Sequence, residues 1–523
     1  MNYHKKRYLI VLLLITAVFS ACKKQWDDRT EVADQQLDIN LMQQIQANSN
    51  LSTFAGYLTK VGYDKILAAT KTYTVWAPDN QALQNIDPAI VADTAKLRIF
   101  VTNHIADQTF LTSAPKPSLS VKMLSTKKLT FTATSIDEAN ITAANQYVKN
   151  GVLHVINRTL SPKLSIWDYV RGLTTVGLLH KQYLVRQDTS FIDTTKATST
   201  GLDPVTGKPI LVPGTGVVNT NKYLNRVANL ANEDSTYTYI VLTDEAYNAE
   251  RNKVSRFFVT PTNSTDTTMN ILAAFNVLKD VAIRGMYTPE NLPASLVSVN
   301  GVNVPINKAA IVQTYNASNG IVYVMNSVDF RLEDKITPIV IQGENPSYFA
   351  RGDRRVNISY RFRADPEGKR FNDLMLRGAE LPPEFFAAYR LRNLYTCQYN
   401  VVWRAVSDIV TNVGVAIPFS QRLRFGQLSR FDIDPNGITI RPSVIVDFPY
   451  VPVGLLDHRE IPMPAAPAYT GIPGTISVVN GRLSVNRYSS IVMFAQGANI
   501  NGTGTNVDRN AVTLDYVKLI PIL

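Results

Sequence analysis

Asn150-Gly151-Val152-Leu153-His154-Val155-Ile156-Asn157 and Asn319-Gly320-Ile321-Val322-Tyr323-Val324-Met325-Asn326 stand at an offset of 169 and read as one block written twice. In each, Asn-Gly makes a tight turn and the apolar run after it makes a strand. Upstream, the strand-like Tyr73-Thr74-Val75-Trp76-Ala77 runs into Pro78-Asp79-Asn80-Gln81-Ala82-Leu83, where proline and aspartate end a strand and cap a helix. At an offset of 164 stands Tyr237-Thr238-Tyr239-Ile240-Val241-Leu242-Thr243-Asp244-Glu245-Ala246-Tyr247. A helical stripe of Leu51, Phe54, Ala55, Leu58 and Val61, stopped by Gly62, finds a counterpart at an offset of 115 in Ile166, Tyr169, Val170, Leu173, Val176 and Gly177. Three blocks in the same order predict a duplicated domain. The difference between offsets, 164 minus 115, predicts about 49 extra residues in the second copy, at about 185–234. The Gly, Pro, Thr and Asn content there predicts a turn-rich surface excursion.

Around these blocks lies a chain of 523 residues, long enough for about three domains. Its 45% apolar and 18% charged residues exclude a mostly disordered chain, a collagen and a coiled-coil rod. Only one stretch, at the N-terminus, is apolar enough to enter a bilayer, which excludes a polytopic helical membrane protein. Two cysteines make neither a disulfide framework nor a thiolate zinc cage. The formal charge of +11 is spread along the chain without a nucleic-acid-binding module, so no nucleic acid is expected as a partner. After residue 340 only Lys369 and Lys518 interrupt an all-arginine set of cations. Arginine suits planar contacts to carboxylates and interfaces, although plain surface charge is the simpler account.

Lys5, Lys6 and Arg7 precede the apolar run Tyr8–Phe19, then Ser20, Ala21 and Cys22. That is the layout of a secretory signal, too short to span a bilayer of about 30 Å comfortably. With cysteine directly after Ser20-Ala21, the segment resembles a bacterial lipoprotein signal, which implies cleavage after residue 21 and lipid attachment at Cys22. Phe19 departs from the usual leucine. The following Lys23-Lys24-Gln25-Trp26-Asp27-Asp28 resembles the export tract of Bacteroidota lipoproteins on the outer face of the outer membrane. Several acyl chains on one cysteine anchor a protein stably without any span.

The paired blocks resemble tandem fasciclin domains: a box similar to Thr74–Leu83, then a closing Asn-Gly-hydrophobic-His-hydrophobic strand similar to Asn150–Asn157. The second copy puts Tyr323 where the family has histidine. The resemblance implies two compact α/β domains used for adhesion, matrix or partner binding. Some fasciclin domains carry a central Tyr-His pair linked to adhesion; here Asn103-His104 stand there, and the second copy has no histidine near Val281. His104 and His154 therefore read as structural.

From about residue 338 short β-branched and aromatic runs alternate with turn residues: Val356–Arg363, Leu394–Val406, Ile438–Val446, Gly474–Val479, Ser489–Phe494 and Thr513–Ile520. Such texture predicts a β-sandwich, and the last strand resembles those of jelly-roll, carbohydrate-binding modules. Tyr395, Cys397, Tyr399, Val401 and Trp403 share one face, with Cys397 a buried small hydrophobe. Tyr348, Phe349, Phe385, Phe386 and Tyr389 are the candidate ligand-binding residues, because aromatic faces stack on sugar rings, although core packing is the simpler account for each. The run Glu384–Tyr389 also reads as a short helix closing one end of the sandwich. Arg351-Gly352-Asp353 spells the integrin tripeptide but reads first as a turn.

No His-Glu-x-x-His, Gly-x-Ser-x-Gly or phosphate loop is present, so no catalytic residue, metal or cofactor is expected and the chain does not read as an enzyme. Asp432-Ile433-Asp434-Pro435-Asn436-Gly437 lacks most of an EF-hand loop and reads as a turn between strands. The whole is a multidomain α+β and all-β chain. Its parts are a signal peptide (1–21), a lipidated linker (22–36) and fasciclin-like domain one (37–162). Domain two (163–337) carries the insertion at about 185–234, and a jelly-roll-like β-sandwich closes the chain (338–523). Taken together, these resemblances imply a surface-exposed outer-membrane lipoprotein, a non-catalytic accessory subunit of a SusC/SusD-type glycan or peptide uptake complex; the alternative is a cell-surface adhesin or matrix-binding protein.

Overall fold

The computed structural model describes residues 38–260, 267–350, 357–378, 381, 385–410, 414, 417, 419–434, 437–454, 458–468, 475–498 and 510–523. The signal, Cys22 and its linker, and Arg351-Gly352-Asp353, lie outside the described residues. Two compact units form. One holds the described residues up to Gly172 with Asn229–Tyr237 and Tyr315–Val322; the other holds Leu173–Ala228, Thr238–Thr314 and the described residues from Tyr323 on.

In the first unit, helices α1 (Leu41–Ala47) and α2 (Ser52–Lys60) precede strand β1 (Tyr73–Pro78), and β2 (Gly151–Ile156) closes the copy. α1 begins with a capping box in which Asn40 and Gln43 satisfy each other's backbone N–H groups. β1 and β2 pair in parallel, Trp76 beside His154, as the second and third strands from one edge of a seven-stranded sheet. All six residues of β1 are buried, which is why it reads as an unbroken apolar run. Leu51, Phe54, Ala55, Leu58 and Val61 are buried as the stripe predicts, against Val75, Phe100 and Leu153. Gly62 sits at φ +79°, ending that helical run in the left-handed conformation that favours glycine.

The duplication is visible bond by bond. Asn150 accepts from Leu41 N–H (2.8 Å) and donates to the carbonyls of Leu67 and Ala69. Asn319 accepts from Ile166 N–H (2.9 Å) and donates to those of Leu230 and Asn232. Thr74 donates to Gln108 O and accepts from Phe110 N–H, as Thr238 does with Gly285 O and Tyr287 N–H. His154 Nε2 bonds the carbonyl of Phe110 at 2.9 Å, and Tyr323, in the corresponding place, donates to that of Tyr287 at 2.7 Å. The strands β3 (Tyr237–Leu242) and β4 (Gly320–Met325) are neighbours in the second copy's four-stranded sheet.

These bonds correct one alignment. The stripe at an offset of 115 pairs the wrong helices. Asn150 and Asn319 match Leu41 to Ile166, so α1 corresponds to α3 (Ile166–Gly172) at an offset of 125. Asn80 holds Thr53 N–H and Asp244 holds Leu179 N–H, so α2 corresponds to α4 (Leu178–Val185). Gly62 follows α2 whereas Gly177 precedes α4, so the two glycines are not equivalent.

The insertion is not a loop excursion alone. Asp188–Ile192 pairs with Val217–Asn221, and Ser199–Leu202 pairs with Pro209–Leu211. They form a two-stage β-ribbon with Phe191, Ile192, Leu202, Val205, Ile210 and Val217 exposed.

Beyond residue 338, antiparallel sheets of six, six and three strands share one core. One orders Ile339–Gln342, Tyr516–Pro521, Gln398–Arg404, Arg482–Val485 and Ile476–Val479, with Ile461–Pro462 also on Gln398–Arg404. The second orders Tyr348–Phe349, Phe386–Leu394, Ser489–Gly497, Phe419–Asp434 and Gly437–Asp447, with Val451–Val453 also on Phe419–Asp434. The third is Ile358–Ala364, Arg370–Arg377 and Ala511–Leu514. Tyr399, Val401 and Trp403 are buried together, with Tyr395 and Cys397 packed on them. The helix read over Glu384–Tyr389 is instead a strand, Phe386–Leu394. Phe385, Ala387 and Tyr389 enter one cluster and Phe386 and Ala388 another, so both faces are buried and no alternation is left to read. Glu384 lies outside the described residues. Asp434 pairs with Gly437, so the two ends of that acidic run lie on adjacent antiparallel strands; Pro435 and Asn436 lie outside the described residues.

Candidate functional site

Three histidines are buried and serve the fold. Leu160 N–H donates to His104 Nε2 (3.0 Å), leaving Nδ1 to donate to Phe100 O (2.8 Å). Leu242 N–H donates to His180 Nδ1 (3.1 Å), so Nε2 donates to the Tyr239 hydroxyl (2.8 Å). Asn145 N–H likewise donates to His154 Nδ1, and Nε2 donates to Phe110 O. Each ring is held neutral, one nitrogen donating and the other accepting, and protonation breaks the accepting bond. Burial pushes His104 down to about 4 and His180 down to about 3, and lowers His154 as well. The unfolded rings take up protons near pH 6.5, the folded ones only well below. The stabilisation is therefore complete above pH 6.5 and is lost as pH falls through 4. Urea midpoints are expected to fall steadily from pH 7 to 4; a flat profile contradicts this account.

Of the five candidate aromatics, Phe385, Phe386 and Tyr389 are 1–2% exposed and form core, which corrects their reading as a stacking surface. Phe349 is half-buried and packs on the same core. Tyr348, also half-buried, accepts from Arg390 at 2.7 Å, and that guanidinium lies 5.6 Å from its ring centroid. The five therefore do not converge on one open face.

A different aromatic pair does face solvent. Tyr360 and Phe362 occupy alternate positions of the edge strand Ile358–Ala364, hence one side of it, and are 60% and 67% exposed. Arg370 stands 5.6 Å from the Phe362 ring. The intervening Arg361 and Arg363 turn to Asp373, which is fully buried, and to Asp408. Arg404 in turn bonds Asp515 (2.8 Å), Asp365 and the carbonyl of His458, and lies 4.5 Å from the Phe371 ring. Burial pushes Asp515 up to about 6 against the pull of Arg404. This network explains much of the arginine bias: planar forks bind buried aspartates bidentately, as lysine cannot. Sequence reasoning missed Tyr360 and Phe362, although an aromatic-cation alternation, Tyr360-Arg361-Phe362-Arg363, was there to see. Among the described residues no group of His, Cys, Asp and Glu could hold a metal ion, and no helix is long and apolar enough to cross a membrane.

The ribbon is a second exposed surface. Its root is tied by Asn221, which donates to Leu184 O and to Asp188. Joining Ile192 to Val217 through a two-residue Asn-Gly turn removes the tip while keeping that cross-strand pair. We expect the melting temperature of this deletion to stay within about 2 °C of the parent, because the removed backbone packs on no core.

Comparison with known proteins bears on the first copy. The fasciclin domain model matches residues 49–162. These residues form a fasciclin domain. Among solved structures, a FAS1 domain pair from the insect cell adhesion molecule fasciclin I is 14% identical, with 55% of this chain and 100% of that chain covered and a TM-score of 0.22. No curated protein sequence matches. Fasciclin domains are generally adhesion or binding modules, and His104 and His154 of this segment are buried.

Proposed function

We propose that this protein is a non-catalytic binding subunit, with the fasciclin domain at 49–162 as the observation that carries the reading. Residues 163–337 are a second fasciclin-like domain, supported by the paired anchors Asn150 and Asn319, Thr74 and Thr238. The sheets beyond 338 serve as a jelly-roll-like, carbohydrate-binding β-sandwich, with Tyr360 and Phe362 replacing the core aromatics as the stacking pair. The N-terminal segment directs export and Cys22 carries the lipid, placing the body on the outer face of the outer membrane of a Bacteroidota cell. There it associates with a SusC/SusD-type transporter and captures glycan or peptide, raising local ligand concentration without chemistry.

Affinity purification from outer membranes in mild detergent tests the association. Co-purification of a transporter and its lid lipoprotein supports it; their absence moves the assignment to an adhesin. Glycan-array binding by the full chain, lost in Tyr360→Ala/Phe362→Ala, is the expected result for the stacking pair. Each base or sugar face stacked on an aromatic ring is worth about 1–3 kcal/mol by analogy with other ring ligands, so the loss is roughly tenfold or more.

A further inference from the structure

A cleft of about 370 Å³ opens between α4, α5 (Asp244–Ser255) and α6 (Thr267–Leu278), within the second unit. Leu179 and the Tyr247 ring give it apolar walls, Gln182 and Asn270 bring amides, and Arg186 and Arg251 bring two guanidinium groups. No carboxylate lines it among the described residues, and among them neither arginine makes a salt bridge. Among the described residues Arg251 lies 5.8 Å from the Tyr247 ring and bonds Asn252 alone, at a long 3.3 Å. Among those residues its buried Nε has no acceptor. Half-buried Arg361 is met by Asp373 and buried Arg404 by Asp515. Half-exposed Arg251 and exposed Arg186 have no such carboxylate in the cleft among the described residues.

We propose that this cleft binds a small organic oxyanion, a carboxylate, sulfate or phosphate carried on a sugar-sized body. Two planar cations with no counter-charge match the oxygens of such a group, and one of those oxygens supplies the acceptor that the buried Nε lacks. The amides add neutral hydrogen bonds to the body, and the volume falls within the range of small-molecule sites. Only two cations contribute, which suits one compact anion and not a polyanion's backbone. The site is remote in sequence from Tyr360 and Phe362 and does not depend on where the protein is anchored.

The test is calorimetric titration of the full chain with glucuronate, glucose 6-sulfate, glucose 6-phosphate and, as the neutral arm, glucose. At least one charged probe is expected to bind while glucose does not; the preferred arm tells a planar carboxylate from a tetrahedral group. Arg186→Ala and Arg251→Ala are each expected to weaken binding about tenfold or more, Arg251→Lys less, and added salt to weaken it further. Ligand-free melting of the half-exposed Arg251→Lys and exposed Arg186→Ala variants reports folding separately. Failure of all three anions to bind, or binding that survives the double substitution in a folded protein, overturns the proposal.

Discussion

Replacing Gly320 by alanine costs on the order of 5 kcal/mol of stability and leaves little folded protein. The residue adopts φ +149°, and an added Cβ would lie 1.8 Å from the carbonyl oxygen of Tyr237. A backbone oxygen of a buried strand cannot retreat without parting β3 from β4, so strain and lost pairing add. Gly151 in the first copy is placed the same way, at φ +153° with the Tyr73 oxygen 1.9 Å from the virtual Cβ and Leu41 Cδ1 at 2.8 Å. The Asn-Gly pair is thus required because one strand's start abuts the other's backbone. A matched control separates this crowding from φ strain alone. Gly207 in the ribbon, at φ +66° with nothing within 4 Å, should lose only about 1–2 kcal/mol as alanine. Urea denaturation of the three variants decides it, and equal losses at 207 and 320 would rule out the crowding argument.

The second large effect lies at Lys335 and Asp280, a salt bridge with both side chains fully buried. Asp280 also accepts from Ser298, and the Lys335 ammonium sits 4.4 Å from the Phe330 ring centroid. Burial pushes the lysine down to about 8, with Asp280 pulling it back up, so it remains charged at neutral pH. Lys335→Met leaves a buried carboxylate without its partner and should cost about 3–5 kcal/mol. Lys335→Met combined with Asp280→Leu removes both charges and should recover more than half of that, since a buried pair adds little net stability over an apolar replacement. If the double variant is as unstable as the single one, desolvation is not what governs this pair. The unfolded lysine gives up its proton near pH 10.4, the folded one near 8, so this group's contribution improves between those values and adds no pH dependence below them.

How much of this was legible follows from where the information sits. The Asn-Gly blocks and the Tyr-Thr strands were readable because backbone geometry demands particular residues there, and those demands recur in each copy. Helix stripes carry no such demand. Any short amphipathic helix matches any other, so Leu51–Val61 was matched to the wrong partner until the polar anchors Asn80 and Asp244 fixed the register. The Phe385–Tyr389 run was ambiguous for a related reason: a strand buried on both faces has lost the alternation that distinguishes it. The oxyanion cleft was invisible, because Arg186 and Arg251 meet only through the packing of two helices whose polar faces look like ordinary solvated surface.

Beyond residue 338 the strand Ile339–Gln342 is zipped to Tyr516–Pro521, Ile339 opposite Leu519, and Tyr516–Pro521 also lies against Gln398–Arg404. Synthesis delivers Ile339–Gln342 and Gln398–Arg404 first, so the sheet waits with a gap between them until Tyr516–Pro521 emerges. A chain released early leaves two unpaired strand edges bare side by side, which is the geometry that recruits a neighbour's strand and starts aggregation.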